Sequence, residues 1–240
     1  MHIGIVKELG DARVALIPDN VKQLVESQNQ VSVESGAGAE AFFSDQDYQA
    51  AGATIKSRDD LLKSSDLLIS INPLSDSDLT TYGEGKTLLT SYQPFADPSV
   101  LDGLAKRNYT VFSLDMIPRT TLAQAMDVLS SMASIAGYKA VLIAADYLPR
   151  YFPMLTTAAG TIPPAKMLIL GAGVAGLQAA ATGKRLGAVV EAFDTRLAAK
   201  EEVESLGAKF VMVEGASDDK DAGGYAVEQS EEYKQKQRAL

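Results

Sequence analysis

The sequence predicts an α/β protein built from two Rossmann-like domains with parallel sheets. Three observations carry that expectation. Short apolar runs alternate with amphipathic helical stretches between residues 3 and 114, the pattern of successive β/α units. A glycine-rich turn, Gly171-Ala-Gly173-Val-Ala-Gly176, stands between an apolar run at 167–170 and an Ala-rich helical stretch at 174–186. With 240 residues and 46% hydrophobic content, the chain exceeds one average domain and can fill more than one core.

In chain order, the apolar runs at 3–6, 31–34, 67–71, 87–90 and 109–114 are expected as strands, and 19–26, 59–63 and 98–107 as helices. Met116-Ile-Pro118-Arg119 interrupts the alternation. A long helix is then expected from about Ala123 or Ser130 to Tyr147, ended by Pro149 and Pro153. It serves as the link between an N-terminal domain, 1–129, and a second domain, 130–240. Residues 157–164 read as a Gly/Pro loop, and 189–193 and 209–213 as the second domain's further strands. Residues 214–232 carry seven acids against the single Lys220 and read as a solvated loop around Gly223-Gly224.

Strand, glycine turn and helix occur in the order that a dinucleotide-binding fingerprint requires. Gly171 permits the tight turn, Gly173 lets the backbone approach a pyrophosphate, and Gly176 lets the helix pack closely on the strand. The helix start supplies N–H groups to the phosphates. Asp194, after the second apolar run, can accept both hydroxyls of an adenosine ribose and repel a 2′-phosphate, which favours NAD over NADP. Arg196 opens the opposite possibility, because a guanidinium there can hold a 2′-phosphate. The bland alternative is a glycine-rich helix start with no ligand.

Composition excludes several function classes. A net charge of −9, without a basic patch, argues against a nucleic-acid surface. Zero cysteines rule out disulfides, thiolate metal sites and a cysteine nucleophile, and fit a reducing, cytoplasmic setting. The chain opens directly in a strand-like run with no secretory signal, so the Asn108-Tyr-Thr110 sequon has no expected use. No uninterrupted apolar run approaches a membrane span. His2 is the single histidine and reads as ordinary packing, which removes serine triads and histidine-ligated zinc from consideration. No carboxylate pair stands out as acid and base. Hydride exchange between two nicotinamides is compatible with that lack, since it needs alignment and exclusion of water more than proton transfer.

Three blocks resemble the NAD(H)-binding component of proton-translocating NAD(P) transhydrogenase, a family related to alanine dehydrogenase. They are Lys7-Glu8 with Arg13-Val-Ala15 and Pro18; the run from Pro118-Arg119-Thr-Thr-Leu122-Ala-Gln124 through Asp127 and Ser130 to Gly137-Tyr138; and the run from Thr157 through the fingerprint to Asp194-Thr195-Arg196, followed by Gly223-Gly224-Tyr225. The resemblance implies that Arg119, Gln124, Asp127 and Ser130 surround the nicotinamide end of NAD(H), with Arg119, Gln124 and Asp127 serving the hydride transfer. It also implies that Val174 and Ala175 present N–H groups to the pyrophosphate, that Asp194, Thr195 and Arg196 meet the adenosine ribose, and that Gly224 and Tyr225 belong to a loop closing over the cofactor. Read without it, Arg119 and Asp127 form a surface ion pair, and Gln124 and Ser130 are solvated or capping residues.

The implied activity is presentation of NADH to NADP⁺ held on a partner domain, coupled elsewhere to proton movement. The implied partners are NADP(H)-binding and membrane-spanning domains and a second copy of the chain. The implied location is the cytoplasmic face of a bacterial inner membrane, reached through those partners. Two departures accompany the resemblance. Leu122 replaces a basic residue often found before Ala-Gln, and the family continues beyond Leu240, so the second Rossmann-like domain is expected to be incomplete. An alanine-dehydrogenase-like enzyme is the alternative: Arg13 matches that family's carboxylate-binding position, but Ile71-Asn72-Pro73 replaces a lysine motif and Ser91-Tyr92-Gln93-Pro94 a histidine. A non-catalytic NAD-binding or assembly module is the third reading.

Overall fold

The computed structural model describes residues 1–118, 120–212 and 235. The chain divides into two compact units, Met1–Asp127 and Val128–Leu240. The first holds a six-stranded sheet of β1 (His2–Ile5), β2 (Gln30–Glu34), β3 (Thr54–Lys56), β4 (Leu67–Ile69), β5 (Thr87–Thr90) and β6 (Thr110–Ser113), in the order β3-β2-β1-β4-β5-β6. Every pairing is parallel. The helices are α1 (Pro18–Glu26), α2 (Asp45–Ala50), α3 (Arg58–Ser64), α4 (Asp76–Tyr82) and α5 (Ser99–Lys106).

Apolar residues on both sheet faces explain why helices cover both. Ile5, Val31 and Val33 pack with Val21 of α1 and Tyr48 of α2, while Val6, Leu68 and Leu88 pack with Leu61 and Leu62 of α3, Leu79 of α4 and Leu104 of α5. Serines fix the starts of α2, α3 and α4: Ser44, Ser57 and Ser75 each accept the backbone N–H three residues on, from Asp47, Asp60 and Asp78. The strand order reverses between β1 and β4, which makes the carboxyl ends of those strands the switch-point crevice of this sheet.

The second unit opens with α6 (Val128–Tyr147) and then a hairpin of β7 (Leu155–Thr157) and β8 (Gly160–Ile162), antiparallel, where the sequence predicts only a loop. A small parallel sheet follows, made of β9 (Lys166–Leu170), β10 (Val189–Phe193) and β11 (Lys209–Val211) in the order β11-β10-β9. Helices α7 (Val174–Arg185) and α8 (Ala199–Ser205) connect these strands. Ala180, Val190, Ala192 and Val203 form the centre of its core. Gly137 lets α6 lie against the start of α7, because a Cβ there would strike the Ala175 carbonyl. α6 is also long and apolar enough to cross a membrane, although the sequence there is not an uninterrupted apolar run; an 18-residue window has mean hydropathy 1.5 and is 11% buried. The helix carries Lys139 and Asp146, and Val141 and Gly137 are its buried contacts.

Candidate nucleotide-binding site

The fingerprint turn lies at the carboxyl end of β9. Gly171 has φ +99°, a left-handed conformation that glycine adopts without strain, and its N–H donates to the Phe193 carbonyl at 2.8 Å. Gly173 is the N-cap of α7, in extended backbone at φ −79°, and a Cβ built on it meets nothing within 4 Å. Open space at that point is what close approach of a diphosphate requires. Gly176 is different. A Cβ there would run into the Gly171 carbonyl, so this glycine brings helix and turn together. The first intrahelical bond of α7 runs from Leu177 N–H to Gly173 C=O at 2.8 Å, so the N–H groups of Val174, Ala175 and Gly176 precede the helix's own pairing.

Register brings Asp194 to this turn. Phe193 pairs with Leu170, which places the residue after β10 beside the residue after β9. The Asp194 carboxylate accepts the Ala172 N–H at 2.7 Å on Oδ2 and the Arg196 N–H at 2.8 Å on Oδ1. The Arg196 side chain adds Nε to Oδ1 at 3.0 Å and Nη2 to Oδ2 at 3.0 Å. The Asp194 side chain is 8% exposed and that of Arg196 31%. Burial alone would raise the Asp194 carboxyl, but the Arg196 side chain, the Arg196 N–H and the Ala172 N–H outweigh it and hold the group below its ordinary value. Arg196 is raised in return, first by its bond to Asp194.

Of the sequence-predicted site residues, Gly171, Gly173, Val174, Ala175, Gly176, Asp194, Thr195 and Arg196 thus come together at one end of β9 and β10. Ser130 lies in the first turn of α6 in the same unit. Gln124 is exposed in a short 3₁₀ turn, Gln124–Met126, and Asp127 follows it as the last residue of the first unit. Arg119, Gly224 and Tyr225, with the acidic stretch 214–232, lie outside the described residues. Two further contributors carry no signal in the sequence. Ala172 supplies the N–H that ties the turn to Asp194, and Ser134 reaches Gln178 at 3.4 Å between α6 and α7.

The first unit's switch-point crevice is filled by its own side chains. Glu8, 6% exposed, accepts Ile71 N–H at 2.6 Å, Asn72 N–H at 3.1 Å and Asn72 Nδ2 at 3.0 Å, joining the ends of β1 and β4. Asn72 Nδ2 also donates to Asp11 at 3.1 Å, and Asp11 holds the Arg13 guanidinium through Nε at 2.9 Å and Nη2 at 2.5 Å. That Arg13 contact, ahead of the Asn72 bond, keeps the Asp11 carboxyl well below the usual range. On the other side Arg58 donates to Asp78 at 2.9 and 2.8 Å, to Glu34 at 2.8 Å and to the Lys7 carbonyl at 3.1 Å.

Residues 4–136 match the N-terminal domain of the alanine dehydrogenase/PNT family and residues 140–239 its C-terminal domain. The chain belongs to that family. It is 44% identical, over 99% of its own length and 64% of the relative's, to the first of the separate parts of NAD(P) transhydrogenase subunit alpha in Rhodospirillum rubrum. A solved structure of transhydrogenase from Sinorhizobium meliloti superposes with a TM-score of 0.84 at 43% identity, covering 88% of this chain and 64% of that one. An alanine dehydrogenase of Mycolicibacterium smegmatis is 29% identical over 82% of this chain and 54% of its own. The chain therefore spans less than two thirds of the length of these relatives. The α/β architecture of the alanine dehydrogenase/PNT family accounts for both of the parallel sheets.

Proposed function

We propose that this chain is the NAD(H)-binding part of a proton-translocating NAD(P) transhydrogenase. The observation that carries this reading is the glycine turn anchored on Asp194, with open space at Gly173 and helix-start N–H groups at Val174 and Ala175. These residues suit a dinucleotide: the turn admits the pyrophosphate, and a buried carboxylate stands where an adenosine ribose ends. When bound, the nicotinamide supplies the hydride chemistry. The chain's own residues bind, orient and exclude water. In this reading Asp194, Thr195 and Arg196 line the adenosine end, with Asp194 as the ribose acceptor, while Arg119, Gln124, Asp127 and Ser130 orient the nicotinamide, and Gly224 and Tyr225 close over it. The segments 1–129 and 130–240 are its two domains.

The acceptor is NADP⁺ on a partner domain, joined to a membrane-spanning one, so the chain sits at the cytoplasmic face of the membrane without inserting. A homodimer is part of the proposal. The hairpin of β7 and β8 is exposed along its length, with Leu155 and Ile162 outward, and an isolated two-stranded hairpin is marginal in water. The alanine-dehydrogenase alternative is disfavoured by the filled crevice. Asp11 already occupies the Arg13 guanidinium, and Asn72 is held by Glu8 at the ends of β1 and β4.

Single-turnover stopped-flow with NADH, an NADP(H)-binding partner and a distinguishable NADP⁺ analogue tests the proposal. Hydride transfer between the nucleotides, with no turnover on alanine or pyruvate, is the expected result. Pyruvate-dependent oxidation of NADH would reverse it.

A further inference from the structure

The Asp194 carboxylate has no acceptor capacity left. Two of its donors are backbone N–H groups, from Ala172 and Arg196, and two belong to the Arg196 guanidinium. A carboxylate offers about four lone-pair positions. A ribose diol needs two. The Ala172 N–H belongs to the glycine turn and the Arg196 N–H to the loop after β10, so neither is exchangeable without remaking the site. The guanidinium donors are. The Arg196 side chain is 31% exposed, and its bond from Nη2 to the Ala172 carbonyl is a long 3.4 Å.

We propose that the Arg196 guanidinium is an internal stand-in for the adenosine ribose at Asp194, so that Arg196 sets both the affinity for NADH and the discrimination against NADPH. The inference rests on the NAD(H) reading of this site and extends it. A ribose diol that takes Oδ1 and Oδ2 must first displace Nε and Nη2, and the cofactor's affinity is reduced by the strength of the contact it replaces. The released guanidinium stays within reach on the same loop, drawn also by Glu202 in the first turn of α8. Its positive charge then stands where a 2′-phosphate would meet the Asp194 carboxylate, and it tempers the repulsion that would otherwise exclude NADPH. One side chain therefore acts in opposite directions on the two nucleotides.

Arg196→Met keeps the stem and the backbone N–H to Asp194 while removing both guanidinium donors. Calorimetric titration should give NADH binding tighter by about two- to fivefold, the range expected for a partly exposed charged pair. NADPH binding should weaken, so the ratio of the two dissociation constants widens. A second measurement uses the unaltered chain. The Arg196 Nε–H resonance, assigned by its loss in Arg196→Lys, should shift on saturation with NADH as the bond to Asp194 breaks. An unmoved resonance in a chain that binds NADH, or NADH binding by Arg196→Met that is equal to or weaker than the original, overturns this proposal alone. No NADH binding by the original chain overturns the NAD(H) reading and this proposal with it.

Discussion

Gly173 and Gly176 stand three residues apart in one motif, yet alanine at each should fail for a different reason. At Gly176 the new methyl meets backbone, the Gly171 carbonyl group, with the Gly171 carbonyl carbon at 2.9 Å and Ile169 Cγ2 at 3.4 Å. Alanine in a helix interior gains about 1 kcal/mol over glycine, but overpacking costs about 1–3 kcal/mol, and a backbone obstacle cannot rotate aside. A net loss of about 2 kcal/mol in folding stability of the second unit is expected, the clash falling at the upper end of that range. At Gly173 nothing lies within 4 Å and φ is −79°, so alanine is tolerated there with a change of less than about 1 kcal/mol, the difference between glycine and alanine as N-cap. Its methyl would fill the approach to the pyrophosphate, and NADH should bind at least about tenfold more weakly, or about 1.4 kcal/mol. Urea unfolding beside NADH titration separates the two variants. A Gly176→Ala chain as stable as the original, or a Gly173→Ala chain that keeps its NADH affinity, would refute the division of labour argued from the Cβ geometry.

Gln124→Asn, shortening an exposed amide by one methylene, should lower single-turnover hydride transfer by about tenfold, about 1.4 kcal/mol, while leaving NADH affinity nearly unchanged. Arg58→Met should cost about 2–3 kcal/mol in urea unfolding, below the ~3–5 kcal/mol of a fully buried pair because the Arg58 side chain is 22% exposed; the loss arises because Glu34 and Asp78 are left without their shared cation. Burial raises Tyr92 to about 12 from 10.0; the folded state then holds its proton where the unfolded chain has lost it, so stability present below pH 10 falls as pH rises towards 12. Tyr92→Phe, which removes a hydroxyl without a partner among the described residues, should be neutral or stabilising and should move the alkaline midpoint of unfolding upward, whereas Tyr48→Phe forfeits the bond to the Leu16 carbonyl at 2.9 Å and should destabilise by about 1 kcal/mol. Leu155→Lys with Ile162→Lys should shift sedimentation from dimer to monomer if the exposed hairpin joins two copies.

Periodicity and the glycine turn made the two parallel sheets legible, because strands such as β4 and β9 are built on runs of adjacent apolar residues bounded by polar or turn residues. The elements missed are short and polar. β3 is Thr-Ile-Lys at a sheet edge, while α2 and α4 carry Ser-x-x-Asp starts whose caps are readable but whose apolar content is slight. The hairpin of β7 and β8 was hidden because both strands are exposed throughout and leave no burial pattern to read. At the site, residue types pointed to the glycine turn and to the carboxylate after the next strand, and the register of β9 and β10 brings the two together. Residue types did not foretell that Ala172 would tie the turn to Asp194, or that Glu8 and Asp11 would fill the first unit's crevice. The Ala172 and Glu8 contacts join residues 22 and 63 positions apart, and only the register of the sheets brings them together.

The two roles proposed for Asp194, anchor of the glycine turn and acceptor of the ribose, determine which substitutions are informative about nucleotide choice. Asp194→Asn replaces one acceptor oxygen by a donor, and the N–H of either Ala172 or Arg196 would then face the NH2 group, donor against donor. Weaker NADH binding in that variant would mix a lost ribose contact with a loosened glycine turn. The carboxyl's lowered pKa makes the same point through pH. Its contribution to stability is present above the ordinary value of 3.8 and is lost as pH falls through the folded-state value, so acid loosens the turn and removes the ribose acceptor together. Arg196 variants avoid this coupling, because the backbone N–H at that position remains whatever the side chain is, and the turn keeps both of its main-chain bonds while the competing guanidinium is withdrawn.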